Sequence, residues 1–256
     1  MINVWSFGGG TQSTAIAALV IQGRLPKPDF AIIADTGRET RTTWDYLEKV
    51  TGPALLAFGI QLHRVSANDF GYNGMGLFNR SDTLLIPAFT SLGEDGGKLS
   101  GYCSRWWKSD VAENYLSRAH GITRSKFCSW IGYGKDEQIR WARCMRGDDY
   151  KAGRIRLPLV IDVPLSRHEC QKLIESMGWP VPAPKSRCWM CPNQSDSEWR
   201  SLPRDEFQKA VQLEKEIQRT DPHAWLHKSM IPLSDVDFTQ PDDLFNRPCD
   251  SGNCFL

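Results

Sequence analysis

Ile2-Asn3-Val4-Trp5-Ser6-Phe7-Gly8-Gly9-Gly10-Thr11-Gln12-Ser13-Thr14-Ala15-Ile16-Ala17-Ala18-Leu19-Val20 is the stretch that decides the fold. An apolar run of strand formers stops at three consecutive glycines, and a helical apolar run starts behind a Gln-Ser-Thr opening. Strand, glycine turn and helix start together make an anion cradle. Glycine lets the backbone come close to a phosphate, and the unpaired N–H groups of the first helical turn point at it. Phosphate or sulfate binding is therefore expected here. The turn carries no lysine, so it is not a GxxxxGK[ST] loop, and its glycines lack the GxGxxG spacing.

Outward from this turn the pattern repeats. Phe30-Ala31-Ile32-Ile33-Ala34 reads as a second apolar strand ending in Asp35-Thr36-Gly37. Trp44, Leu47 and Val50 recur at helical spacing before Gly52-Pro53, which is expected to stop that helix, and Gln61–Val65 reads as a third strand. Continuous apolar strands alternating with helices predict an α/β fold with a doubly wound parallel sheet. Ligands of such sheets bind beyond the strands' carboxyl ends, which makes Asp35 a candidate contact. Residues 67–102 are glycine-rich and without sustained period, so a functional loop, lid or insertion is expected.

A helix over Asp110–His120, a strand over Lys126–Tyr133 and a helix over Asp136–Arg146 follow. A strand over Arg156–Ile161 comes next, at a sheet edge because of Pro158. Ser166-Arg167-His168-Glu169 is a capping-box pattern, with Gly178 as the stop. Between them Cys170, Leu173, Ile174 and Met177 share one helical face, which makes Cys170 a core residue. A helix carrying Phe207, Ala210, Val211 and Ile217 follows the Pro-rich stretch and the Cys188–Cys191 knuckle. The last thirty residues look irregular. The expected organisation is a nucleotide-binding α/β domain over 1–200, with its insertion at 67–102 and its knuckle at 188–191. A C-terminal helix and cysteine-containing tail fill 201–256.

Lys and Arg total 31 against 30 Asp and Glu, so no charge excess announces tight non-specific nucleic-acid binding or a lipid surface. No apolar stretch reaches the length of a membrane span, and the chain opens on a strand instead of a signal peptide. A cytoplasmic protein with no membrane association is expected. Its eight cysteines should then stay reduced, favouring metal or redox chemistry over disulfides.

Cys188-Trp189-Met190-Cys191, followed by Pro192, has metal-knuckle spacing, which fits an iron–sulfur cluster, zinc or a redox dithiol. Further ligands could come from Cys103, Cys249 or Cys254, whereas Cys128 and Cys144 read as structural. For zinc, His223 and His227 are four apart and would share a face if they lay on a helix.

Taken together, these segments resemble the PAPS/APS reductases and their relatives among the N-type ATP pyrophosphatases. This CysH-like group also includes DNA-phosphorothioation sulfurtransferases. Ser6-Phe7-Gly8-Gly9-Gly10-Thr11-Gln12-Ser13 is similar to the family's modified P-loop, Asp35-Thr36-Gly37-Arg38-Glu39-Thr40 to its DTG…ET segment, and Gly134–Arg140 to its G-(I/Y)-R-x-D-E-S-x-x-R segment. Cys103-Ser104-Arg105-Trp106-Trp107-Lys108 resembles the start of the reductases' cluster motif, with the CxxC after a long spacer. Pro184–Pro192 and Glu198-Trp199-Arg200 look most like phage- or mobile-element-encoded members. Two departures stand out: Gln12 replaces the Asp of the pyrophosphatases, and Tyr102 replaces the first cysteine of the usual pair.

The resemblance implies the adenine nucleotide alpha-hydrolase type of Rossmann-like fold. It implies nucleotide contacts from Ser6, Phe7, Gly8, Gly9, Gly10, Gln12, Ser13, Asp35, Thr36, Gly37, Glu137 and Arg140. It also implies a [4Fe–4S] cluster on Cys103, Cys188 and Cys191, with Cys249 as fourth ligand and zinc as the alternative. Cys254 falls closest to the reductases' catalytic tail thiol. The nucleotide would be PAPS, APS, or ATP with Mg.

In the reductase form a thiolate attacks the sulfur of a sulfonucleotide, and a thioredoxin-like dithiol resolves the adduct. In the pyrophosphatase form ATP adenylates an acceptor and sulfur replaces AMP, with nucleic acid as a candidate acceptor. Arg105, Trp106, Trp107 and Lys108 could then stack and contact phosphate, although the two tryptophans read better as core aromatics. A third reading is a nucleotide-binding accessory protein of a defence or mobile-element system that has lost catalysis.

Overall fold

The computed structural model describes residues 1–72, 74–93, 96–181 and 184–239. The tail positions Cys249 and Cys254 lie outside the described residues. The chain divides into two compact units, one built from Met1–Gly71 and Lys108–Arg187, the other from Tyr72–Trp107 and the chain from Cys188 onward.

In the first unit the chain runs through β1 (Ile2–Ser6), α1 (Thr11–Ile21), β2 (Phe30–Asp35), α2 (Arg41–Tyr46), α3 (Gly52–Ala57), β3 (Leu62–Ser66) and α4 (Ala67–Phe70). The second unit supplies β4 (Ala88–Thr90) and β5 (Gly97–Leu99). The first then resumes with α5 (Asp110–His120), β6 (Phe127–Trp130), α6 (Gln138–Arg146), α7 (Asp148–Lys151), β7 (Ile155–Arg156) and α8 (Arg167–Ser176). The remainder of the second unit holds α9 (Asp196–Arg200), α10 (Arg204–Thr220) and β8 (Ala224–Trp225).

The first unit is an α/β layer structure around a five-stranded sheet of order β3-β2-β1-β6-β7, with every pairing parallel. Both faces of its centre are buried, which is why β1 and β2 read as unbroken apolar runs. Trp5, Phe7, Ala31, Ile33 and Trp130 join the core cluster with Ile16, Leu19 and Val20 of α1 and Cys170 and Ile174 of α8. The alternate residues Val4, Ile32 and Phe127 are equally buried and point to the other face, where α5 packs against β2 and β3. Nine residues of α1 are buried, which accounts for its near-continuous apolar sequence. Among the described residues no helix is long and apolar enough to cross a membrane.

Two expectations about this unit are corrected. Gly52-Pro53 does not end the helix that starts at Arg41. Leu47–Thr51 widens into a π-turn, the Gly52 amide donates to the Leu47 carbonyl, and α3 carries on with Pro53 in its first turn. The wider turn accommodates a proline that has no N–H to give and whose ring would clash in a regular helix interior. A Cβ at Gly52 would sit 2.7 Å from the Leu47 carbonyl oxygen, so glycine is needed where the turn is widest. Likewise the apolar run Arg156–Ile161 is not a strand. β7 ends at Arg156, and Pro158–Asp162 coils into another π-turn with Pro158 at its first position. Proline cannot donate to a ladder but tolerates the first helical position. By contrast, the Ser166 capping box and the left-handed Gly178 (φ 71°) frame α8 as expected, and Cys170 is fully buried.

In the second unit the glycine-rich segment is more than a loop. Its β4 and β5 form an antiparallel hairpin, and β4 pairs on its other side with β8, Phe89 opposite Trp225. A Cβ at Gly101 would fall 2.4 Å from the Pro87 backbone nitrogen, one reason for the glycine there. Buried within this unit, Glu214 of α10 accepts from the Leu226 amide (2.8 Å) and the Leu233 amide (2.7 Å), pinning the segments after β8. The proposed helical pairing of His223 and His227 fails, because the chain between them is the strand β8. The His223 ring hydrogen-bonds the Ser91 hydroxyl (3.2 Å). The His227 ring hydrogen-bonds the Asp196 carboxylate (3.1 Å) and the Ser229 hydroxyl (2.7 Å).

Candidate functional site

The strand order turns back on itself around β1. From β1 the chain steps outward through β2 to β3, then crosses over to β6 on the other side of β1. The carboxyl ends of β1 and β6 are thus a topological switch point, where loops leaving neighbouring strands diverge and open a crevice. The loop leaving β1 is the glycine turn, and the loop leaving β6 is Ile131–Glu137, itself interrupted by Gly132 and Gly134.

The glycine turn is shaped by close packing. Gly9 has φ 72°, a conformation that strains any residue with a Cβ, and a Cβ there would lie 2.7 Å from the Thr43 Cγ2. Gly10 is overlaid by the chain at Ser186, whose amide nitrogen would be 2.8 Å from an added Cβ. Ser13 reaches back so that its hydroxyl accepts from the Gly8 amide (2.9 Å). The Thr11 amide donates to the Pro184 carbonyl (2.9 Å), and the Phe7 amide to the Ile32 carbonyl (2.8 Å). Phe7 itself is buried against Trp5, so it supports the turn from below. Among the described residues no partner is recorded for the amides of Gly9, Gly10, Gln12 and Ser13. Unpartnered N–H groups at a helix start suit an oxyanion.

The loop after β6 closes against this turn. A Cβ at Gly132 would meet Ile16 Cδ1 at 3.3 Å and the Gln12 Cβ at 3.7 Å, so glycine permits the approach. Glu137 then fastens the two loops. Its Oε2 accepts from the Gly134 amide (2.8 Å) and from the Gln12 Nε2 (3.3 Å), and its Oε1 is ion-paired with Arg140. The Arg140 guanidinium lies over the Tyr133 ring, 4.4 Å from its centroid, and burial pushes the Tyr133 phenol up.

The third wall follows β2. Asp35 is committed within it: Oδ1 accepts from the Gly37 amide (2.8 Å), and Oδ2 accepts from Arg64 Nε (2.9 Å). Arg64 in turn stacks on Trp44 at 3.8 Å. Asp35 therefore shapes the loop, with Thr36 buried beneath it and Gly37 at φ 65°. Further along, Glu39 is buried and pairs with Lys108 Nζ at 2.8 Å, which joins two segments the sequence had marked separately. The strip Pro184–Arg187 lies across this rim, with the Arg187 carbonyl accepting from the Thr40 amide (3.1 Å). Beside it a cleft of about 300 Å³ is lined by Thr42, Tyr46, Pro184, Lys185 and Arg187, with no carboxylate in its wall.

The described cysteines fall into two groups. Burial pushes the thiols of Cys128 and Cys144 up and that of Cys170 up to about 12, which leaves all three protonated at neutral pH. Cys103, Cys188 and Cys191 share the second unit. The knuckle is a turn in which the Cys191 amide donates to the Cys188 carbonyl (3.1 Å). Gln194 wraps back on it, its amide donating to the Cys191 carbonyl (3.2 Å) and its Nε2 to the Trp189 carbonyl (3.1 Å). Cys103 opens a helical turn in which the Tyr102 carbonyl accepts from the Arg105 and Trp106 amides. No disulfide joins two described cysteines, and among the described residues no group of three or more His, Cys, Asp or Glu side chains is gathered for a metal. Trp107 is buried and Trp106 half-buried, which fits packing better than stacking on a base.

The structure thus brings Ser6–Ser13 together with Glu137 and Arg140, and sets Asp35–Gly37 beside them as a braced loop. Sequence reading missed the bracing of Asp35 by Arg64, the Glu39–Lys108 pair and the lie of Pro184–Arg187 over the turn. All three join positions far apart in the chain. No family model matches the chain, and a search of curated proteins returned no match.

Proposed function

We propose that the first unit binds an adenine nucleotide at the switch point and that the chain is a CysH-like enzyme of the sulfonucleotide-reductase kind. The observation that carries this reading is the set of four amides at Gly9, Gly10, Gln12 and Ser13. They sit at the start of α1, at the divergence of two parallel strands. A sulfate or phosphate ester there would take N–H bonds directly from the backbone, and the basic cleft beside Pro184 offers Lys185 and Arg187 to further negative charge.

The order of motifs along the chain supports the family reading, including the adenine nucleotide alpha-hydrolase type of fold. The donor set of the second unit, three thiols in one unit with two on a knuckle, suits a thiolate-held cluster. Cys103, Cys188 and Cys191 would hold it together with Cys249, and when bound it supplies a redox-active, charged centre.

In the reaction the Cys254 thiolate attacks the sulfur of the phosphosulfate, forming an S–S bond while the S–O bond to the phosphate breaks and the nucleotide phosphate leaves with the electron pair. A dithiol partner then reduces the enzyme thiosulfonate, releasing sulfite and becoming a disulfide. The test is incubation with ³⁵S-labelled APS and PAPS, followed by peptide mapping without reductant. Label on the Cys254 peptide, released as sulfite by a dithiol, is expected. Absence of label together with conversion of ATP to AMP and pyrophosphate would overturn the reductase reading.

A further inference from the structure

Gln12 and Glu137 carry a consequence for which anions the turn accepts. The Glu137 carboxylate accepts from three nitrogen groups: the Gly134 amide at 2.8 Å and Gln12 Nε2 at 3.3 Å on one oxygen, Arg140 on the other. Asp35 and Asp136 are held in a similar way. Asp35 accepts from the Gly37 amide and from Arg64 (2.7 Å to Nη2), and Asp136 accepts from the Arg167 amide through both oxygens (3.1 and 3.3 Å). Glu39 is ion-paired with Lys108.

Magnesium requires six oxygens in near-octahedral array and is commonly held by one or two carboxylates together with substrate phosphates. A metal on Glu137, Asp35 or Asp136 would compete with a guanidinium or a backbone amide for the same carboxylate. Gln12 turns its Nε2 donor toward Glu137 and brings no carboxylate of its own. The residues present do not fit a resident magnesium ion.

We infer that Gln12 is a specificity-determining residue that makes the glycine turn a metal-free oxyanion site. It caps one oxygen of Glu137 with a hydrogen bond, keeps that carboxylate facing Arg140, and leaves the amides of Gly9, Gly10, Gln12 and Ser13 to meet a phosphate or sulfate ester without an intervening cation. The ligand class it selects is a nucleotide phosphate or phosphosulfate in its uncomplexed form, in preference to a magnesium–triphosphate chelate. This rests on the reading of the turn as a nucleotide site.

The test is calorimetric titration of the full chain with APS and with ATP, each in excess magnesium chloride and in EDTA. It is paired with manganese(II) titrations followed by electron paramagnetic resonance, which need no nucleotide. For the natural chain, APS affinity should agree within about twofold between the two buffers. Gln12→Asp, which places a second carboxylate against Glu137, should bind ATP about tenfold more tightly in magnesium than in EDTA and should gain a manganese site.

A loss of nucleotide affinity of about tenfold or more in EDTA would overturn the inference. So would a saturable manganese site in the natural chain that disappears in Glu137→Gln. If no nucleotide binds in either buffer, the nucleotide reading itself fails, while the manganese comparison still decides whether Gln12 excludes a cation.

Discussion

Replacing Gly9 by alanine tests the geometry of the cradle, because two separate penalties act on one methyl group. The backbone at Gly9 has φ 72°, a left-handed conformation that costs a residue with a Cβ about 1–2 kcal/mol. The new Cβ would also sit 2.7 Å from Thr43 Cγ2, well inside contact distance, and overpacking of a buried site costs about 1–3 kcal/mol. Together Gly9→Ala should lower stability by about 2–5 kcal/mol.

Thr43→Ser removes the obstructing methyl but keeps a hydroxyl for the bond with Thr40 (3.1 Å). The double variant should therefore recover the packing part, about 1–3 kcal/mol, and leave the backbone part unrelieved. Urea unfolding of the four proteins of this cycle gives the coupling energy directly. A Gly9→Ala protein within about 0.5 kcal/mol of the parent, or a double variant whose losses simply add, would refute the packing argument.

Other consequences are open to similarly direct measurement. Glu214→Gln replaces one of two accepting oxygens by an NH₂ group facing a backbone N–H, so chemical denaturation should show a loss of about 1–3 kcal/mol, and a neutral result would mean that the Leu226 and Leu233 bonds contribute nothing. Burial, and then the nearby His120, hold the His63 pKa below its ordinary value. The folded state therefore binds its proton less readily than the unfolded chain. The stabilising contribution of neutral His63 is complete above about pH 6.5 and is lost as the pH falls through that value towards the lower folded pKa. Urea midpoints between pH 5.5 and 7.5, chosen to span the reference value of about 6.5, should rise less steeply for His63→Gln than for the parent, and parallel profiles would remove His63 from the account. With its thiol pushed up to about 12, Cys170 should resist iodoacetamide at pH 8 in the folded protein and react once the chain is unfolded, with equal rates counting against its burial.

The elements that were legible in the sequence are those whose signals are local. Three glycines between an apolar strand and an apolar helix require a βα turn, Asp110–His120 is helical over the expected range, and Ser166 with Glu169 makes both capping bonds that the pattern promises. Prolines were misread where backbone widening changes their meaning. At Pro53 and Pro158 a π-turn lets the helical path hold a residue that would end an ordinary helix or sit at a strand's edge. The histidines failed for a different reason, since spacing of four makes a shared face only on a helix and β8 intervenes.

In the candidate site, the glycine turn, Glu137 and Arg140 were readable because each belongs to a short motif. The partners that fix their roles were not. Arg64 sits on β3 with nothing in its strand pattern to pair it with Asp35. Lys108 meets Glu39 only because the first unit is built from two separated stretches of chain.

The most direct test of the central claim is to follow the backbone amides of the ¹⁵N-labelled chain while APS is added. Saturable binding should shift the resonances of Gly9, Gly10, Gln12 and Ser13 more than any others in the first unit, because their N–H groups meet the ligand oxygens. Saturable binding that leaves those four amides unmoved would place the ligand elsewhere and contradict the account.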